Sequence, residues 1–324
     1  MGKFYLFMRK SIIVTKIIFP NKIKDAAKIL AQNGTVAFPT ETVYGLGANA
    51  LDKKAVKKIF VAKGRPGDNP LIVHIANKKD LNKLVEKIPA NAEKLIDKFW
   101  PGPLTIVLKK SKIIPKIVTA GLNTVAIRMP SDKVALALIK EAKIPIAAPS
   151  ANLSGRPSPT KFEHVFDDLN GKIDAIVHGK DTKIGVESTV IDLSGKPTLL
   201  RPGKVTLEQL EKEIGKIKIH QTIKGRKIEL AKSPGMKYKH YSPKAKVILF
   251  YNKKKIKNLS KNKKIAIIYT KRYSPEFVAK NLFKKFREFD KKNVEIIFVE
   301  AMDEKGLGLA IMNRLKKASS KFLE

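Results

Sequence analysis

The chain contains no cysteine. Disulfides, thiolate metal sites and cysteine nucleophiles are therefore excluded, and a reducing compartment suits it. Histidine is sparse too. The five residues at 74, 164, 178, 220 and 240 form no closely spaced pair, which argues against an imidazole-built metal centre. A single tryptophan and an aromatic share of 7% leave few platforms for stacking bases. Long apolar runs are missing as well. The patch Phe4–Met8 is cut by Arg9 and Lys10, so it is too short for a bilayer, and no small-residue cleavage site follows it. A soluble, cytoplasmic protein without membrane attachment is expected. No glycine-rich phosphate loop of the Walker type occurs, and Ser188 lacks the flanking glycines of a hydrolase elbow.

Acid is also scarce. Asp and Glu total 29 against 66 for Lys and Arg, a formal charge of +37 over 324 residues. Such a charge attracts polyanions and permits weak, salt-sensitive RNA binding. The bland reading is a lysine-biased composition, because the excess is lysine spread along the whole chain. Hydrophobic content of 43% is enough for real cores, and the length allows two domains.

Arginine is the informative scarcity. There are nine: 9, 65, 128, 156, 201, 226, 272, 287 and 314. Where lysine is the default, an arginine marks a place where the planar fork matters. Between Lys10 and Lys224 every arginine lies in a Pro- or Gly-punctuated motif: Lys63-Gly64-Arg65-Pro66, Ile127-Arg128-Met129-Pro130, Ser154-Gly155-Arg156-Pro157 and Leu200-Arg201-Pro202-Gly203. These four are read as binding residues. Lys63 and Arg65 bracket a glycine and suit a polyphosphate, although such a pair is usually a solvated surface feature. Ser150-Ala151-Asn152 follows an apolar run and offers a hydroxyl and an amide at a strand end, where α/β sheets gather ligands; its bland reading is a turn or helix cap.

The first two-thirds alternates strands and helices. Helices are expected over 22–33, from Asp52 to about Lys63, twice within 78–99, from Asp132 toward Ala142, and from Thr206. Strands are expected over 34–38, 71–75, 104–108, 124–127, 144–148, 174–177, 187–193 and 197–201. This pattern gives an α/β or α+β sheet with at least one covered face over residues 1–215. Residues 216–243 lose the periodicity and contain Ser233-Pro234-Gly235-Met236-Lys237-Tyr238-Lys239-His240-Tyr241-Ser242-Pro243. A plain spacer needs no such aromatics, so composition leaves two readings of equal weight, a linker that also acts as a lid and an ordered linker packed on one domain. Residues 244–324 read as strand, strand, helix, strand, helix, a small parallel Rossmann-like domain. Its helix over 275–292 carries lysines and one arginine, Arg287, read as a solvated face.

Pro39-Thr40-Glu41-Thr42-Val43-Tyr44-Gly45-Leu46-Gly47 delivers polar side chains after a buried strand. Gly45, Gly47 and Ala50 match a dinucleotide fingerprint only superficially, since no acid stands about twenty residues on. His74 ends a strand, where a buried structural histidine is the commoner outcome. Trp100-Pro101-Gly102-Pro103 reads as a rigid turn.

Together these motifs resemble the YrdC-like family, and within it the two-domain threonylcarbamoyl-AMP synthases. The resemblance rests on residues 39–47, 63–74, 99–104, 124–130, 149–157, 185–192 and 200–203, with the Ser-Pro-Gly-Met linker and the Rossmann-like tail matching the long form. It implies a YrdC-like twisted-sheet catalytic domain. It also implies a reaction in which L-threonine, bicarbonate and magnesium-ATP give threonylcarbamoyl-AMP and pyrophosphate. The product would pass to the machinery that modifies an adenosine beside the tRNA anticodon. By resemblance, Thr42, His74, Arg128 and Ser188 would hold threonine. Lys63 and Arg65 would be catalytic and, with Asn69, face the phosphates; Thr124, Ser150, Asn152, Arg156, Arg201 and Tyr241 would complete the ATP site. The competing class is an RNA-binding or ribosome-associated module of the same fold without this catalysis.

Overall fold

The computed structural model describes residues 13–223, 240–252, 256 and 263–323. Most of the lid stretch, including Tyr238, and the Phe4–Met8 patch lie outside the described residues.

The first unit is built on one sheet. Its strands are β1 (Lys16–Ile18), β2 (Val36–Phe38), β3 (Gly45–Asn49), β4 (Ile72–His74), β5 (Leu104–Lys109), β6 (Thr124–Arg128), β7 (Ile146–Ala147), β8 (Ala175–Val177), β9 (Thr189–Asp192), β10 (Thr198–Arg201) and β11 (Lys218–Ile219). They run in the order β1-β8-β2-β3-β7-β4-β6-β5-β9-β10-β11, with parallel and antiparallel neighbours mixed. The helices are α1 (Ile23–Ala31), α2 (Lys53–Lys63), α3 (Leu81–Leu84), α4 (Ala90–Phe99), α5 (Lys133–Ala142), α6 (Phe162–Leu169) and α7 (Leu207–Ile214).

Local chemistry fixes several boundaries. Asp52 accepts the Ala55 amide at 2.6 Å and opens α2. Gly64, at φ 58°, closes it in the left-handed region that glycine tolerates, and so turns Arg65 back toward the sheet. Thr206 and Gln209 form a reciprocal capping box at the start of α7. The glycines of β3 answer a packing demand: a Cβ on Gly47 would stand 2.7 Å from Ile146 and 2.8 Å from Phe38. That close approach lays β3 against β7 and carries the Pro39–Gly47 stretch over the sheet.

The second unit is a four-stranded parallel sheet in the order β13-β14-β12-β15, from β12 (Lys246–Phe250), β13 (Ile265–Ile268), β14 (Ile296–Glu300) and β15 (Ser319–Leu323). Two helices cross it, α8 (Pro275–Lys291) and α9 (Leu307–Ala318). The sequence pattern for this unit lacked only the last strand. Its apolar core includes Val186 and Tyr241, so this core reaches the wall of the first unit's cleft. Among the described residues no helix is long and apolar enough to cross a membrane.

Candidate active site

The cleft is floored by β4 and β6. Their register pairs Ile72 with Ala126 and His74 with Arg128, so residues 72, 74, 124, 126 and 128 share one face. Ile72 and Ala126 pack with Val107, Val190 and Leu200 as an apolar shelf. Arg128 stands at one end of the shelf and Thr124 at the other.

At the Arg128 end the side chains are tightly tied. The Arg128 guanidinium donates from Nη1 to Thr42 Oγ1 at 2.9 Å and from Nε to the Gly102 carbonyl at 3.3 Å. Its Nη2 faces the Glu41 carboxylate at 2.7 Å, without hydrogen-bond alignment. The Trp-Pro-Gly-Pro turn is therefore structural and also helps to aim Arg128. Thr40 spends its single proton on the Val43 carbonyl, so Thr42 donates to Thr40 and presents lone pairs to Arg128 and the cleft. His74 is buried, with Nδ1 3.2 Å from the Ile72 carbonyl. Burial, then the nearby Arg128 charge, push its pKa down to about 3, so the ring is neutral near pH 7.

The opposite wall comes from β9 and β10. Ser188 Oγ lies 2.7 Å from Thr105 Oγ1 and accepts from Arg201 Nη2 at 3.0 Å, while Arg201 Nε donates to the Ser188 carbonyl at 3.0 Å. Gly203 permits this contact, since a Cβ there would meet the Thr189 nitrogen at 2.4 Å. Burial lowers the Arg201 pKa to about 10, so it keeps its charge. Beside Ser188, burial pushes the Glu187 carboxyl up, but Arg314, Arg201 and the Ser158 hydroxyl outweigh it and hold the group below its usual range. Tyr241 closes this side. It is buried at φ 65°, an unusual backbone for a tyrosine, and burial raises its hydroxyl to about 12.

The phosphate motif behaves differently from its outward appearance in sequence. Arg65 lines the cleft and donates to the Asn69 carbonyl at 3.0 Å. Lys63 stands behind the wall. Its Nζ donates to the Ser150 and Asn152 carbonyls, each at 2.5 Å, bracing the Ser-Ala-Asn loop. Burial, then the neighbouring Arg65 charge, hold the Lys63 ammonium well below its usual pKa. Ser150 bridges to Gly45 and lines the cleft. Asn152 turns its amide nitrogen to the Leu153 and Arg156 carbonyls at 2.8 and 2.9 Å, while its buried Oδ1 makes no hydrogen bond. The Asn69 amide is wholly buried with neither polar atom hydrogen-bonded. Arg156 is spent on Asp168 at 2.5 Å and does not line the cleft.

The structure thus brings Thr42, Arg65, His74, Arg128, Ser150, Ser188, Arg201 and Tyr241 around one cavity of about 580 Å³, its solvent mouth included. Lys63, Asn69, Thr124, Asn152 and Arg156 form its surround. Sequence reasoning passed over Glu41, Thr105 and Glu187 as site residues. Glu41 and Glu187 each adjoin a chosen residue, Thr42 and Ser188, and that adjacency was the usable signal. Three arginines, Arg65, Arg128 and Arg201, lining a small polar cavity suit a ligand with several negative charges.

Comparison with known proteins agrees with that chemistry. A family model described as "Telomere recombination", covering the Sua5, YciO and YrdC proteins, matches residues 28–203. A second, "Threonylcarbamoyl-AMP synthase, C-terminal domain", matches residues 205–320. The chain belongs to the two-domain threonylcarbamoyl-AMP synthase family. Family members from Pyrococcus abyssi and Bacillus subtilis are 52% and 48% identical, over 92% of this chain and 94% and 93% of theirs. A solved structure of the P. abyssi Sua5 synthase complexed with L-threonine superposes with a TM-score of 0.92 at 49% identity, covering 96% of this chain and 99% of that one. The large mixed sheet and the small parallel sheet are those of this synthase fold.

Proposed function

We propose that this chain is a nucleotidyltransferase making threonylcarbamoyl-AMP from L-threonine, bicarbonate and ATP. The observation that carries the reading is the convergence of Arg128, Thr42, His74 and Ser188 at one end of a cleft whose remaining wall holds Arg65, Ser150 and Arg201. The threonine amine bonds to the bicarbonate carbon with loss of water. The resulting carbamate oxygen attacks the α-phosphorus, the bond to the bridging oxygen breaks, and pyrophosphate leaves. Two anions must be held together, so positioning and charge neutralisation supply the catalysis and no side-chain nucleophile is needed.

Arg128 takes the threonine carboxylate. Gly102, Thr42 and Glu41 fix its plane and leave donors on both outer nitrogens for a second partner. Thr42 and Ser188 accept from the threonine hydroxyl or amine, and neutral His74 covers the methyl side without adding charge. Arg65 and Arg201 neutralise phosphate charge, and the buried Asn69 amide and the Asn152 Oδ1, which make no hydrogen bond, are offered to the nucleotide. Lys63 acts by holding the Ser150 and Asn152 carbonyls. Thr124, on the same face as Arg128, would mark the far end of the nucleotide path, and Tyr241 would close that path on its Arg201 side. Among the described residues no group of three or more His, Asp or Glu side chains is placed to hold a metal. Glu41 and Glu187 are engaged by arginines, so no side chain here is assigned to magnesium, which would accompany ATP and add to the neutralisation of phosphate charge. The product would be consumed by a tRNA threonylcarbamoyl-transfer machinery.

Pyrophosphate release tests this reading: it should require threonine, bicarbonate and ATP together. Release that ignores threonine would remove the assignment. Charge alone supports the RNA-binding alternative, and a salt titration of RNA binding by a catalytically dead Arg65→Ala variant measures it separately.

A further inference from the structure

The second unit buries one arginine from each of its helices in the first unit. From α9, wholly buried Arg314 donates from Nε to Glu187 Oε2 at 3.0 Å and from Nη1 to the Pro202 carbonyl at 2.5 Å. Its guanidinium also lies 5.8 Å from the centre of the Tyr241 ring. Glu187 and Pro202 immediately adjoin Ser188 and Arg201, the hydrogen-bonded pair on the cleft wall. From α8, Arg287 meets Asp168 at 2.7 Å and donates to the Pro157 carbonyl at 2.6 Å. Asp168 in turn holds Arg156 at 2.5 Å and accepts the Leu153 amide at 3.2 Å. Those residues form the loop that carries Ser150 and Asn152.

Buried ion pairs are a poor source of stability, because desolvation offsets much of the attraction; fixing register is their best-attested use. The fork geometry matters here. Each guanidinium bridges a carboxylate and a backbone carbonyl at once, which an ammonium point charge does less well. In a chain with nine arginines and a large lysine excess, two are spent in this way.

We propose that Arg314 and Arg287 are positioning residues that set two walls of the cleft separately, Arg314 the Ser188–Arg201 wall through Glu187 and Pro202, and Arg287 the nucleotide loop through Asp168 and Pro157. The second domain is then part of the synthase's binding machinery, a role that rests on the function proposed above. Neither arginine touches substrate; each acts through the residues it holds.

The test uses the full chain with Arg314→Met, Arg287→Met and the corresponding lysine substitutions. Threonine and ATP affinities are measured by calorimetry, and amide hydrogen exchange is followed segment by segment. Arg314→Met should weaken threonine about tenfold or more, weaken ATP as well through Arg201, and speed exchange at residues 187–203 while 150–157 exchange as in the wild type. Arg287→Met should weaken ATP about tenfold or more, leave threonine within about threefold, and speed exchange at 150–157 while 187–203 exchange as in the wild type. Each lysine variant should recover part of the loss. If threonine affinity falls in folded Arg287→Met, if both segments change together in either folded variant, or if neither segment changes, the arginines only join the domains and the proposal is overturned. Should a methionine variant fail to fold, the lysine variant reads the same split. If the wild-type chain binds neither ligand, the synthase reading fails, and the exchange data still decide whether each arginine orders its own segment.

Discussion

Replacing Arg128 by methionine separates what this residue does for folding from what it does for threonine. The guanidinium is 4% exposed and Glu41 5%, and they stand 2.7 Å apart. Methionine keeps much of the stem volume and removes the charge. Glu41 is then left buried with no cation against it, which costs about 3–5 kcal/mol, toward the lower figure because the carboxyl can take up a proton. Losing a charge-assisted contact to the threonine carboxylate costs roughly 2–3 kcal/mol in binding, or about 30- to 150-fold. The double variant Arg128→Met with Glu41→Gln divides these effects. Neutralising residue 41 should return about 2 kcal/mol or more of stability and none of the threonine affinity. Urea unfolding reads the first quantity and threonine calorimetry the second. Wild-type stability in the single variant would refute the buried pair. Recovery of threonine binding in the double variant would remove Arg128 from the substrate.

Arg65→Ala should cost about 1–3 kcal/mol of stability, because buried Arg65 donates to the Asn69 carbonyl, and lower adenylate formation by about 2–4 kcal/mol of transition-state binding, checked by urea unfolding and steady-state kinetics; wild-type turnover would cancel its phosphate role. Threonine should be preferred to serine by roughly ten- to two-hundredfold in kcat/KM, because one methyl group is worth only about 1–3 kcal/mol; equal values would take Thr42, His74 and Ser188 out of the pocket. His74, His164 and His240 are each pushed down to about 3, first by burial and then by a nearby arginine. Unfolding frees each to take up a proton near pH 6.5. The unfolded state therefore binds more protons between about pH 6.5 and 3, and stability falls as pH drops through that window, by about 1.4 kcal/mol per unit for each histidine. Urea midpoints at pH 5 and 6 check this, and His164→Gln should flatten the slope by about one proton; an unchanged slope would contradict it.

Much of the fold is legible because its signals are local. Asp52 with Gly64, Thr206 with Gln209, and Ser274 before Pro275 each mark a helix end within a few residues. What escapes is specified from a distance. The Gly-rich strand β3 has little strand propensity of its own and exists because Phe38 and Ile146 press on Gly47. Strand β1 has three residues and is held by distant β8, α6 starts without a side-chain cap, and β15 begins with two serines and a lysine. The site follows the same rule. Pro and Gly punctuation found Arg65, Arg128 and Arg201 on the cleft. It could not tell that Lys63 and Arg156 spend their charges on a loop and on Asp168. The reading of α8 as an outward basic face is corrected for Arg287, which continues the buried stripe of Phe283 and Phe286. Arg314 likewise sits amid Leu307, Ala310, Ile311, Leu315 and Ala318, and a charge inside an apolar helical stripe was the available sign of a buried partner.

The central claim is that carbon from bicarbonate becomes the bridge between threonine and the α-phosphate. Incubating the chain with carbon-labelled bicarbonate, threonine and magnesium-ATP, then resolving the nucleotides by chromatography and mass spectrometry, tests it most directly. A labelled adenylate with the mass of threonylcarbamoyl-AMP is expected, formed with equimolar pyrophosphate and missing when threonine is omitted. Pyrophosphate release with no labelled adenylate, or a labelled product that forms without threonine, would contradict it.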